Sequence, residues 1–99
     1  MGTIELKNGF KSISIDNEAG AIYIQVTHNK VKKTLEIDDN VFVDVDYRGK
    51  LVGIELIRID QVEIPGVFRA IADRVHQPEV AHYPEEFSRD LAPLCTIPA

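Results

Sequence analysis

VFVDVDYRGKLVGIEL, residues 41–56, is the stretch that decides the fold, because it spells a complete β-hairpin. Val41, Val43 and Val45 alternate with Phe42, Asp44 and Asp46; Tyr47-Arg48-Gly49-Lys50 breaks the alternation; Val52, Ile54 and Leu56 resume it. Side chains change face at every residue of a strand, so a register slip of one would carry each of these valines to water. A four-residue loop, Tyr47 to Lys50, sets Val45 opposite Val52, Val43 opposite Ile54 and Val41 opposite Leu56. A three-residue loop opposes Val43 with Gly53 and Val41 with Glu55, and so mixes the faces. The longer loop is therefore expected, with Gly49 supplying the positive φ of a type I turn followed by a left-handed residue. Phe42, Asp44, Gly53 and Glu55 fall on the other face.

Upstream, Ile22, Ile24 and Val26 alternate with Tyr23 and Gln25, giving a half-buried strand over 21–27. An asparagine turn at His28-Asn29 or Asn29-Lys30 is expected to fold it onto the next strand, placing Val31, Leu35 and Ile37 on the face of Ile22 and Ile24. Joining Leu35 and Ile37 to the valine face of the central hairpin requires an odd connection, met by a three-residue Asp39-Asn40-Val41 turn or by a bulge. Further upstream, SISID (12–16) reads as a strand, and TIELK (3–7) as a short edge strand turned back by Asn8-Gly9.

Downstream, Val67, Phe68, Ile71, Ala72 and Val75 recur at helical spacing behind Pro65, a residue suited to a first helical turn, and Gln77-Pro78 ends the helix. A second short helix is expected from Pro84, with Glu85 and Glu86 in its first turn and Phe87 and Leu91 four apart. The tail beyond Pro93 reads as irregular. The expected architecture is α+β: an antiparallel β-meander of four to six strands, with a C-terminal helix packed on one face and a second short helix. It forms one domain over 1–99, a sheet core at about 15–56 followed by a helical extension over 60–99.

Ninety-nine residues bury a modest core, so partner contacts can supply part of the stability. The net charge of −5 disfavours nucleic acid as a direct partner; the basic cluster Lys30, Lys32 and Lys33 reads as a solvated turn. No apolar run reaches the length of a membrane span, no cleavable signal is visible, and the single Cys95 has no internal disulfide partner; a cytoplasmic protein is expected.

The segment IDNEAGAIYIQVTHNKVKKTLEIDDNVFVDVDYRGKLVGIEL resembles the domain of unknown function 2283 family of small, mostly bacterial proteins. The likeness lies in the acidic turn before AIYI, in KVKKTLEIDDN and above all in VDVDYRGKLVGIEL, and it spans about 15–56. Gly20 departs from the family, standing where an acidic residue is common, as does Asn40, where glycine is common. The resemblance implies a compact, self-associating sheet module of the kind found in toxin–antitoxin style pairs, and it carries over no catalytic residue.

Three constellations bear on chemistry. Asp44, Asp46 and Glu55, beside Glu36 and Tyr23, offer clustered carboxylates for a small hydrolase or isomerase, the alternative reading; the polar face of a soluble sheet is the stronger explanation and is preferred. Asp44 to Gly49 lacks the ligand spacing of a calcium loop, and His28, His76, His82 and Cys95 are spaced too loosely for a zinc site, so no metal or cofactor is expected. Phe42, Ile57 and Ile59 with Tyr23 form an outward apolar patch, the mark of an interface. The expected function is a non-enzymatic protein–protein interaction module, a homodimer or partner of another protein, contacting through Tyr23, Phe42, Phe87 and Leu91.

Overall fold

A computed structural model describes residues 2–4, 12–16 and 18–86. Six strands, β1 (Gly2–Ile4), β2 (Ser12–Asp16), β3 (Ala21–Gln25), β4 (Lys33–Asp38), β5 (Val41–Val45) and β6 (Leu51–Leu56), precede the helix α1 (Ile64–Val75). Short 3₁₀ turns at Ile59–Gln61 and Pro78–His82 flank that helix, and residues 83–86 are helical. The class is α+β and every strand pairing is antiparallel.

The order across the sheet is β1-β2-β3-β6-β5-β4, so the expected simple meander is corrected to two three-stranded meanders joined through β3 and β6. Ile24 lies opposite Ile54 and Tyr23 opposite Glu55, while β4 pairs only with β5. Strands β3 to β6 thus form a Greek key. Burial explains the arrangement: five of six residues of LVGIEL are buried, whereas KTLEID exposes Lys33, Thr34, Glu36 and Asp38. A continuously buried strand belongs at the centre of a sheet and a charged one at its edge. The asparagine hairpin at 28–30 does not form, and Asn29 has no left-handed backbone. Instead the chain from Val26 to Lys32 crosses the end of the sheet. It is tied there by Val26 N–H and Thr27 N–H, which both donate to the Val52 carbonyl (2.8 and 3.2 Å), and by Lys32 N–H, which donates to Val45 (2.8 Å). Val31, expected on the buried face, is 43% exposed on this crossing.

The central hairpin keeps two of its three expected pairs, Val41 with Leu56 and Val43 with Ile54. Val45 meets Leu51 rather than Val52, because a bulge at Val52 inserts a residue, and the loop is five residues, Asp46 to Lys50. Gly49 takes its positive φ of 79°. The bulge frees the Val52 carbonyl to receive the crossing chain. Between β4 and β5 a two-residue turn with a bulge at Glu36/Asp38 replaces the three-residue turn.

Ile24, Val41, Val43, Val45, Ile54 and Leu56 form one buried face under Phe68, Ile71, Ala72 and Val75 of α1, with Leu35 and Ile37 half-buried at the margin. Helix α1 starts where Glu63 accepts a hydrogen bond from Gly66 N–H. It ends at His76, which adopts a left-handed φ of 57°, while Gln77 N–H reaches back to Ala72 O (3.0 Å). The Gln77 side chain then accepts Leu51 N–H (2.8 Å), fastening the helix end to β6. The Pro78–His82 turn, which the sequence reading missed, buries Val80 and brings Tyr83 edge-on to Phe68, ring centroids 6.4 Å apart. Burial pushes the Tyr83 phenol up to about 12, with Glu79 and Glu86 adding to the shift. Residues 5–7 of the expected first strand and its Asn8-Gly9 turn lie outside the described residues, as do Phe87, Leu91 and Cys95.

Candidate functional site

Helix α1 covers one face of the sheet, and among the described residues the other face carries no element. Strand alternation and register place two rows of side chains there. One runs Ser14, Tyr23, Glu55, Phe42, Glu36; the other runs Ser12, Gln25, Gly53, Asp44, Thr34. The two bulges leave these rows intact, because both lie at strand ends.

Gly53 organises the second row. A Cβ built on it would lie 1.9 Å from Tyr23 Oη, so only glycine lets the Tyr23 ring lie across β6. From that position Tyr23 donates a hydrogen bond to Asp44 Oδ2 (2.9 Å), and Thr34 donates to Asp44 Oδ1. A single chain of side-chain contacts therefore spans β3, β6, β5 and β4. Partial burial, the bond to Asp44 and the charges of Asp44 and Glu55 together push the Tyr23 phenol well above its ordinary range. It is a persistent donor, not a base, at any neutral pH.

Of the three carboxylates grouped from the sequence, Asp44 and Glu55 are diagonal neighbours on this face, and Asp46 is elsewhere. Asp46 is 6% exposed and builds the hairpin loop: its Oδ1 accepts Arg48 N–H (2.9 Å) and Lys50 N–H (3.0 Å), and its Oδ2 accepts Asn29 Nδ2 (3.1 Å) from the crossing chain. Those bonds, Lys50 N–H foremost, hold its carboxyl below the usual range. The signal was legible in part, since Asp followed by a glycine turn is loop chemistry, but its reach to Asn29 depends on the crossover.

The expected apolar patch is smaller than the sequence implied. Glu55 stands between Tyr23 and Phe42 in their row, and Ile59 turns inward to pack on the core. Phe42 is half-buried between Glu55 and Glu36. The hollow beside Tyr23 and Glu55, lined also by Ser14, Asp16 and Ala21, is a shallow depression of about 160 Å³. Among the described residues no three of His, Cys, Asp and Glu gather in a way that holds a metal ion, and no helix is long and apolar enough to cross a membrane.

Residues 12–59, from β2 through β6 to the first residue of the 3₁₀ turn, match the family DUF2283, described as a protein of unknown function. This segment belongs to that family. The DUF2283 match thus takes in five of the six strands, with both outer-face rows from β2 to β4, and stops short of α1, which covers the core from outside the matched segment. Gly20, one of the two departures from the family pattern, has a left-handed φ of 63° in the β2–β3 turn. No curated protein and no solved structure matches the chain significantly.

Proposed function

We propose that this protein is a non-enzymatic interaction module that presents the outer face of its DUF2283 sheet to a protein partner. The observation that carries the reading is the Tyr23–Asp44–Thr34 chain: polar groups fixed to one another across four strands on an open face, beside a half-buried Phe42. A pre-ordered polar surface with an aromatic anchor loses little side-chain entropy on binding, and aromatic residues dominate interface energetics. Carboxylate chemistry at Asp44 or Glu55 has less support. It needs a dry, concave pocket, typically about 300–1,000 Å³; the depression at Glu55 is about 160 Å³, and in the open hollow of about 430 Å³ at Asp46 the carboxylate oxygens already accept from Arg48, Lys50 and Asn29.

The resemblance read from the sequence extends the proposal to the antitoxin-like half of a toxin–antitoxin style pair, in which a small basic protein would meet Glu36, Asp44 and Glu55. Calorimetric titration with the purified product of the adjacent gene tests it. Phe42→Ser is expected to weaken binding by about tenfold or more while the chain stays folded by circular dichroism with a modestly lowered melting temperature; unchanged affinity sinks the reading. Phe87 and Leu91 are tested by truncation after Glu86, because a cut after Gln77 would remove the buried Val80 and Tyr83.

A further inference from the structure

Strand β4 is at one edge of the sheet, and no described strand pairs with its outer side. Its core-side residues are incompletely covered: Leu35 and Ile37 are half-buried where the strands inside them are fully buried. Charges on an edge strand ordinarily keep other chains away. Here they are sorted by sign along the strand. Lys32 and Lys33 stand at its start, preceded by Lys30, and Glu36, Asp38 and Asp39 stand at its end. Among the described residues none of the three lysines enters an ion pair.

Sorted charge discriminates between partners. A parallel neighbour of like sequence would set lysines against lysines and carboxylates against carboxylates; an antiparallel one sets each basic end against an acidic end, twice, by symmetry. The six-residue strand β4 is about 20 Å long, more than two Debye lengths at physiological salt, so each end responds to its local charge and not to the net −5.

The register follows from the side-chain faces. A two-fold axis perpendicular to the sheet keeps inner faces together only if a residue lies opposite itself. An axis at Glu36 opposes two carboxylates. An axis at Leu35 sets Leu35 beside Leu35 and Thr34 opposite Glu36, and it carries the Lys32–Lys33 end of one strand to the acidic end of the other, where the bulge at Glu36/Asp38 ends strict pairing. We propose that β4 pairs antiparallel with β4 of a second copy about an axis at Leu35, joining two six-stranded sheets into one. The contact leaves the outer face free, so it stands or falls apart from partner binding through Phe42.

The contact is short and belongs to the weak class of interfaces, so sedimentation velocity up to about 100 µM is the test. The unmodified chain is expected to dimerise. Lys32→Glu with Lys33→Glu, and separately Glu36→Lys with Asp39→Lys, are each expected to weaken the dimer by about tenfold or more. The second pair spares Asp38, whose Oδ1 accepts Asn40 N–H in the turn. Mixed in equal amounts, the two variants complement at both ends and are expected to recover a heterodimer. Should either variant fail to fold by circular dichroism, amide exchange in the unmodified chain replaces it: protection of β4, but not of β2, should rise with protein concentration. A monomer throughout the range, a dimer indifferent to both charge reversals, no heterodimer on mixing folded variants, or β4 exchange independent of concentration overturns the proposal.

Discussion

A methyl group at Gly53 would sit 1.9 Å from the Tyr23 hydroxyl, so the ring has to leave its place across the strand. Gly53→Ala should therefore expel the ring, break its bond to Asp44 and destabilise the fold by about 1–3 kcal/mol. In a Tyr23→Ser background the three contacts nearest that methyl are gone, and the same change should be neutral or stabilising by about 0.5–1 kcal/mol, since glycine within a strand carries an entropic cost. Chemical denaturation of the four proteins of this double-mutant cycle measures the coupling; additive effects would show that the ring does not rest there. The phenol itself gives a second handle. Its pKa is raised above the ordinary 10.0, so the folded state binds the proton more tightly than the unfolded chain does. That contribution is whole below about pH 10 and is lost as pH rises through and beyond it. Tyr23→Phe should make stability fall less steeply above that pH, as read by denaturation at a series of alkaline values.

At the scale of the element, helix α1 was legible almost to the residue, because a 3.6-residue apolar period, Pro65 near its start and Gln77-Pro78 beyond its end agree with one another. Its cap at His76 was not legible, since histidine at a left-handed position has no sequence signature comparable to glycine. His76→Gly should stabilise the fold by about 0.5–1 kcal/mol by relieving that conformation, visible as a raised melting temperature. The strands were legible as faces. Val43 faces the core, fully buried between Leu35 on β4 and Ile54 on β6, so Val43→Asp places a carboxylate where no partner exists. The cost of several kcal/mol is a large part of a total stability of about 5–15 kcal/mol, and the variant should be unfolded by circular dichroism at room temperature. A native-like melt would mean that β5 presents its other face. The loop of the central hairpin was read one residue short, because the bulge at Val52 changes the parity, so that Leu51 meets Val45, while Val52 stays in step with Ile54 and Leu56 in the sequence and hides the change.

At the scale of the molecule, alternation says which side of the sheet a residue faces and says nothing of which strand lies beside it. Leu35 and Ile37 face the core equally well next to β3 or at the far edge. What separates the two arrangements is how completely each strand is buried, and LVGIEL against KTLEID held that information in composition: a mostly apolar run, its one charge at Glu55, belongs inside, and a charged alternating one outside. The outer-face site depended on the same point. Tyr23 reaches Asp44 only because β6, with Gly53, lies between β3 and β5, so the network was beyond reach of a reading that placed β4 next to β3. The topology also fixes where the molecule resists opening. Strands β3, β6 and β5 each have a neighbour on both sides and carry the residues fully closed off by α1, among them Ile24, Ile54 and Val43, whereas β4 has one neighbour and mostly exposed side chains. Amide exchange protection reflects the free energy of the opening that exposes each bond, and openings begin where few apolar contacts must be given up. Dilute protein should therefore show its slowest exchange at Ile24, Val43 and Ile54, close to the rate set by global unfolding, and markedly faster exchange along Lys33 to Asp38. A simple meander makes the opposite forecast for the two strands that trade places, with β4 protected in the interior and β6 fraying at the edge. Residue-resolved exchange that finds Lys33 to Asp38 as slow as Leu51 to Leu56 would overturn the Greek-key order and, with it, the outer-face network built upon it.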